Sequence, residues 1–265
     1  MRYCRFQHSS GAHFGRIENV DGVDSITELL NFPESNLPLG QPQFEPIPLS
    51  SAKLMAPVKP SKIVCVGRNY RDHASELGNE VPKEPLLFLK PPSTVTAPEE
   101  SIVMPPASVT QRVDYEGEIA AIVGRRASKL KDNEPVLPYL RGFTCVNDVT
   151  ARDLQKTDGQ WTRAKGFDTF CPVGPMVVSA EEFDVASAEV LTRLNGEERQ
   201  HGHAKDFIFS LDVVVRYISH IMTLEPGDLI STGTPAGVAP MKSGDVVEVE
   251  IPGIGVLRNK VATSQ

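Results

Sequence analysis

Two glutamates, Glu116 and Glu118, stand one residue apart in VDYEGEIAAIVG, at the head of a run that otherwise reads as a buried strand. On a strand, residues i and i+2 share a face. Glu116, Glu118, Ala120 and Ile122 are then expected to point one way, and Tyr115, Gly117, Ile119, Ala121 and Val123 the other. Two such carboxylates lie roughly 6 to 7 Å apart and, at an effective dielectric near 20, repel by about 2 to 3 kcal/mol. Burial adds a desolvation cost of several kcal/mol per ion. Either the head of the strand is open to solvent, or a shared proton, basic neighbours or a metal cation offsets the cost. Asp148, in GFTCVNDVTARD, adds a third acid at a strand-to-helix junction, where side chains commonly reach a site at a sheet edge. Three carboxylates with no associated cysteine cluster make a hard, oxygen-rich set that suits Mg²⁺ or Mn²⁺ and matches zinc poorly. Gly117 leaves the opposite face without a side chain, which admits a close neighbour or marks a bulge.

Three further segments carry chemistry. In GRNYRDHASELGN, His73 and Glu76 are three apart, so on a helical turn they can hydrogen-bond and leave the other ring nitrogen to take a proton. In GQWTRAKGFDTFCPVGP, Lys165 sits between Trp161 and an apolar, aromatic stretch, where a partly desolvated ammonium can stabilise a developing anion. In LISTGTPAGV, the glycines and Thr234 can present N–H groups and a hydroxyl to a carboxylate. That loop lacks the Lys-Ser/Thr ending of a P-loop, which excludes nucleotide binding of that kind. His201 and His203, in RQHGHAKD, share a face but have no adjacent acid or cysteine in sequence and read as a polar loop, and Arg125 with Arg126 reads as a solvated turn.

These residues need a scaffold, and the 265-residue chain is long enough to bury one. Short apolar runs bounded by Pro, Gly or Asp read as strands: KIVCVG, PLLFLK, EIAAIVG, GFTCVND, PVGPMVV, LTRLNG, DLIST, and a hairpin in DVVEVEIPGIGVL around Pro252 and Gly253. Helices are fewer. One is expected from the N-cap Ser210, with Leu211, Val214, Val215, Ile218, Ile221 and Met222 at helical spacing, and another after a capping box of Thr150 and Asp153. Strands that do not alternate with helices predict an α+β fold with a large mixed or antiparallel sheet. Residues 1–60 read as a small β-rich N-terminal unit, with a brief helical piece at SITELL, followed by a proline-broken linker or wrapping arm from Gln41 to Ser61; residues 61–265 form the main domain.

A formal charge of −7 without a Lys/Arg cluster argues against a nucleic-acid surface. No run approaches the ~20 apolar residues of a membrane helix. Cys4, Cys65, Cys145 and Cys171 are scattered, as expected for reduced thiols in the cytoplasm. A small molecule is the expected partner.

Taken in order, VGRNYRDHASELG, PLLFLKPPST, VDYEGEIAAIVG, GFTCVNDVTARDLQ, WTRAKGFDTFCPVGP, LNGE and PGDLISTGTPAGV resemble the fumarylacetoacetate hydrolase family, over roughly Ile63 to Val261. The resemblance implies a mixed sheet rolled on itself, a homodimer, and a divalent metal. Glu116, Glu118 and Asp148 would be its ligands, His73 and Glu76 the water-activating dyad, Lys165 the oxyanion partner, and Arg152, Gln155 and Thr234 the substrate contacts. VCVGRN supplies no acid just upstream of the histidine, unlike the tyrosine-degrading hydrolase that names the family. The pattern is closer to acylpyruvase and oxaloacetate-handling members and to isomerases of aromatic degradation. The leading expectation is metal-dependent hydrolysis of a carbon–carbon bond in an acylpyruvate-type β-diketo acid. Oxaloacetate decarboxylation or tautomerisation, or isomerisation of a hydroxy-dienedioate, would pass through the same kind of enolate. A protein that binds such acids without turnover is the rival from another class, and the intact His73, Glu76 and Lys165 speak against it.

Overall fold

A computed structural model describes residues 1–32, 45–76, 78 and 80–264. The architecture is α+β, with one twelve-stranded and one five-stranded mixed sheet, a two-stranded ribbon and few helices. Across the large sheet run Val23–Leu30, Gly11–Val20, Arg2–His8, Cys171–Ser179, Leu140–Asn147, Gly117–Val123, Leu229–Ser231, Ile63–Gly67 and Leu86–Lys90. Neighbours along this path are antiparallel except Leu229–Ser231 with Ile63–Gly67. The smaller sheet orders Glu197–His203, Glu189–Leu194, Val246–Ile251, Gly255–Thr263 and Ser101–Met104.

Strand Gly117–Val123 lies near the centre of the large sheet and is buried along its whole length. Its Ile119, Ala121 and Val123 pack with Val190, Val249 and Leu257 of the small sheet and with Val214 and Ile218 of the longest helix. Ala120 and Ile122 face the other way, onto Tyr3, Phe14, Cys65 and Val173. Both faces are covered, so the strand reads as a continuous apolar run even though the alternation of faces is kept. The two faces of this strand thus pack into different cores, and Tyr115 beside its acidic head packs into a third.

Among the described residues, four helices punctuate the strands: α1 (Arg71–Glu76), α2 (Arg152–Thr157), α3 (Thr162–Lys165) and α4 (Leu211–Ile221). α4 starts at the expected cap, with Ser210 accepting from the Val213 amide, and buries Leu211, Val214, Val215 and Ile218. Ile221, although in phase, is exposed, because the helix outruns the core it covers.

Local signals misled at several places. SITELL is not helical; Ser25–Leu30 belongs to strand Val23–Leu30, whose pairing with Gly11–Val20 and burial of Ile26 and Leu29 override helix propensity. The Thr150/Asp153 capping box does not form. The residue before α2 is Ala151, without a side-chain cap; Thr150 donates to the Asp148 carbonyl, and Asp153 instead accepts from Thr110 and the Gln111 amide. RQHGHAKD is not a loop up to His203 but the edge strand Glu197–His203. The expected arm keeps only fragments of regular structure, of which Ile47–Pro48 and Leu54–Met55 pair with N-terminal strands; Gln41 and Pro42 lie outside the described residues.

Candidate active site

The acidic head of strand Gly117–Val123 is held through its backbone by the end of strand Leu140–Asn147 and the residue after it. The Glu116 amide donates to Asn147 Oδ1 at 2.9 Å, and the Asp148 amide donates to the Glu116 carbonyl at 2.8 Å, which draws the third acid beside the first two. A Cβ at Gly117 would lie 2.0 Å from Thr192 Oγ1, so the glycine lets the small sheet press against the head of this strand. Each of Glu116, Glu118 and Asp148 offers an oxygen within 4.8 Å of the others, and the three are 4%, 2% and 1% exposed. The solvent-exposed reading of the pair is therefore excluded.

Basic groups surround part of this cluster. Lys165, on the single turn of α3, donates to Glu116 Oε2 at 2.7 Å and Asp148 Oδ2 at 2.6 Å, with its ammonium 4.8 Å from the Phe88 ring centre. Lys90, at the end of strand Leu86–Lys90, approaches from behind and donates to Asp148 Oδ1 at 2.7 Å. Arg152, at the start of α2, reaches Asp114 through Nε at 2.9 Å, Glu116 through Nη2, and Gln155 Oε1 through Nη1 at 2.6 Å. Burial alone would raise the Glu116 carboxyl, but Lys165, Arg152 and His73 hold it well below the usual carboxylate range. The same acids, Asp148 and Glu116, outweigh burial at Lys165 and hold its ammonium protonated, so Lys165 acts as a donor rather than a base.

Glu118 has a different environment. Its Oε2 accepts from Ser231 Oγ at 2.5 Å and from the Gly233 amide at 2.8 Å, both neutral donors. Burial, with the charges of Asp148 and Glu116, pushes its carboxyl up to about 8. The LISTGTPAGV loop does present an N–H to a carboxylate, and that carboxylate is the chain's own. A buried oxygen trio with one member short of positive charge fits a hard divalent cation, whose charge would take the place of the Glu118 proton.

His73 is buried on α1 with Nδ1 3.3 Å from Glu76 Oε2. Burial lowers its pKa despite the opposing pull of Glu116, so the ring is neutral at pH 7. Gly237 fixes Glu76 in turn, its amide donating to the carboxylate. Thr234 donates to the Gly117 carbonyl at 2.9 Å and accepts from Gln200 at 2.8 Å. His73, Glu116, Glu118, Asp148, Arg152, Gln155, Lys165 and Thr234 all line one cavity of about 360 Å³; Glu76 stands behind His73.

Several residues of this site escaped the sequence reading. Lys90 ends an apolar run, an unusual place for a charge, and that was its signal. Asp114 precedes Glu116 by two residues and anchors Arg152, but nothing in its spacing set it apart from a solvated acid. Arg68 and Trp161 also line the cavity. His201 and His203 lie elsewhere and do meet acids: Glu189 of the paired strand lies 2.9 Å from His201 Nε2 and opposite His203 in register, and Glu198 of their own strand lies 3.9 Å from His201 Nδ1.

Two family descriptions match the chain: "Fumarylacetoacetate (FAA) hydrolase C-terminal" over residues 62–262 and "Rv2993c-like, N-terminal" over residues 1–57. Protein Rv2993c of Mycobacterium tuberculosis is 44% identical over 264 residues, covering 98% of each chain. Oxaloacetate tautomerase YisK of Bacillus subtilis is 44% identical over 225 residues, 80% of this chain and 74% of that one. Among solved structures, a 2-hydroxyhepta-2,4-diene-1,7-dioate isomerase from Mycobacterium marinum superposes with a TM-score of 0.85 at 40% identity, covering 100% of this chain and 99% of that one.

Proposed function

This chain belongs to the fumarylacetoacetate hydrolase family, and from that membership and the cavity we propose that it interconverts the enol and keto forms of a 2-oxo acid, as a tautomerase or isomerase. The observation that carries the reading is the pairing, in one cavity, of a neutral buried imidazole with a trio of carboxylates suited to a divalent cation. Carbon–carbon hydrolysis, the leading expectation from sequence, becomes the second reading. The named relatives are a tautomerase and an isomerase, which favours proton transfer over cleavage.

Glu116, Glu118 and Asp148 would hold Mg²⁺ or Mn²⁺, which when bound supplies a Lewis acid for the substrate's carboxylate and 2-oxygen. His73 Nε2 takes the proton from the carbon next to the 2-oxo group. Glu76 on Nδ1 orients the ring and stabilises its protonated form. Electron density released to the 2-oxygen is met by the remaining N–H of Lys165, whose other two donors are held by Glu116 and Asp148. The protonated imidazole then returns the proton to oxygen, and the reverse path runs through the same groups. Gln155 has its carbonyl taken by Arg152 and so offers its amide N–H groups to substrate, and Thr234 offers its remaining lone pair. A homodimer in the cytoplasm completes the reading; the buried free thiols of all four cysteines agree with a reducing compartment.

The test uses enol-oxaloacetate with Mg²⁺ and follows the enol's ultraviolet absorbance alongside pyruvate and carbon dioxide. Accelerated loss of the enol band without either product is expected. His73→Ala should slow it by about 10²- to 10⁴-fold. Pyruvate from an acylpyruvate, with no effect on the enol band, would move the assignment to hydrolysis.

A further inference from the structure

His201 and His203 stand outside the cavity described above. They lie on Glu197–His203, the edge strand of the five-stranded sheet, and being two residues apart they share one face. Glu189, opposite His203 on the paired strand, joins them there. Gln200 and Gly202 point the other way and are buried. Gln200 accepts from the Gly117 amide at 3.0 Å and donates to Thr234 Oγ1 at 2.8 Å. One strand therefore supports the active site with its inner face and carries a histidine pair on its outer face.

The outer face gathers three metal-ligating side chains. Glu189, His201 and His203 each offer a ligand atom within 4.8 Å of the others. Glu189 Oε2 already lies 2.9 Å from His201 Nε2. Two donors held roughly 2.0 to 2.1 Å from one tetrahedral ion stand about 3.3 Å apart, so a small shift would seat both. The two rings lie 5.1 Å apart, tilted by 37°. A surface ion pair with Glu189 accounts for His201 but not for His203. That ring is partly buried, makes no helix-capping hydrogen bond, and forms no hydrogen bond or ion pair among the described residues, so its nitrogens are unspent beside a carboxylate.

We propose that Glu189, His201 and His203 form a second metal site, which takes one borderline divalent ion of the Zn²⁺ class and pins the edge strand to its neighbour. The proposal is independent of the reaction assigned to the cavity. Two imidazoles and one carboxylate suit Zn²⁺, Co²⁺, Ni²⁺ or Cu²⁺ and match Mg²⁺ poorly, the reverse of the all-oxygen trio. Ligation through His201 Nε2 leaves the ring proton on Nδ1, the nitrogen 3.9 Å from Glu198 Oε1; a metal-bound imidazole commonly has such a carboxylate behind it. Three protein ligands leave the fourth position to water. Through Gln200 the ion braces the support of Gly117 and Thr234 without entering the cavity.

Equilibrium dialysis of the full chain against Zn²⁺, with Mg²⁺ in large excess, tests the site. His201→Ala combined with His203→Ala removes two of the three ligands and should weaken one Zn²⁺ by about a hundredfold or more relative to the wild type. Glu189→Gln, which leaves both rings in place, should weaken the same ion by about tenfold or more. All three proteins should share one near-ultraviolet circular dichroism spectrum, because the substituted side chains lie on the outer face. Zn²⁺ should also raise the melting temperature of the wild type more than that of the double variant. Zn²⁺ bound with equal number and affinity by the wild type and either variant overturns the site, wherever else the ion binds, and so does a wild type that binds none. A difference in Zn²⁺ binding without a difference in melting temperature overturns the bracing role.

Discussion

Glu116, just before strand Gly117–Val123, and Glu118, within it, are two residues apart, yet their protons behave oppositely, because Glu116 is paired directly with Lys165 and Arg152 whereas Glu118 accepts from the neutral Ser231 and Gly233. Glu118 must lose its proton before a cation can replace it. Mg²⁺ affinity should therefore climb from pH 6 to pH 8, by up to about tenfold per unit, and level off above the Glu118 pKa of about 8. Titration calorimetry across that range checks the slope, and Glu118→Gln should abolish it; a flat profile in the wild type would remove Glu118 from the metal set. Stability carries the same sign of argument. Between the ordinary value of 4.5 and about 8, the metal-free folded chain keeps a proton that the unfolded chain has released, so its stability falls as pH rises through that window. Saturating Mg²⁺ should remove that fall, because the metal-bound folded chain and the unfolded chain then carry the same charge on Glu118.

At the level of elements, the site depends on a close approach between sheets that only glycine allows. Gly117 lies between the two glutamates and under Thr192 of the small sheet, where an added methyl group would collide at 2.0 Å. Thr192 is fully buried and cannot swing into solvent. Gly117→Ala should destabilise the protein by about 1 to 3 kcal/mol, the usual range for overpacking, and should weaken Mg²⁺ binding because both flanking carboxylates shift. A denaturant midpoint and a metal titration measure the two effects. Thr192→Ala in the same chain should recover part of both; a double variant no better than Gly117→Ala would show that the strain is in the backbone and not at the contact. The same element illustrates the gap between sequence and structure. Its alternation of faces was readable in VDYEGEIAAIVG, but the choice between a solvated edge and a buried cluster depended on Asn147, Gln200 and Thr192, which come from three other strands.

For the whole molecule, the N-terminal strands matter most through the core they share. Arg2 and Tyr3 pair with Val178 and Val177, and Tyr3 and Phe14 pack with Cys65, Ala120, Ile122 and Val173 from the rest of the chain. Loss of residues 1–57 would leave strand Cys171–Ser179 with an open edge and uncover one face of the central strand. The shortened chain should melt at a lower temperature than the full chain and bind a hydrophobic dye in its folded state. Its Mg²⁺ affinity should stay within about threefold, because none of the carboxylates or their partners lies in that segment. An unchanged melting temperature would show that the two parts fold independently.

The sequence by itself determined the chemistry on offer: three hard acids, an imidazole with a carboxylate partner, a lysine beside aromatics, and strands dominant over helices. These are properties of residue type and short spacing, and they survive whatever the rest of the chain does. Tertiary structure decided what each group became. Lys165 and Lys90 are both charged at the ends of short elements in sequence, and only folding sets one in front of Asp148 and the other behind it. SITELL and the Thr150/Asp153 box were local signals overruled by pairing partners on the preceding strand, from Glu18 opposite Ser25 to Phe14 opposite Leu30, or by a nearer backbone acceptor. The proton on Glu118 likewise depends on which neighbours the fold brings close and which it leaves out. Charge–charge energies scale with distance and local dielectric, and neither quantity exists until the chain has closed around the site.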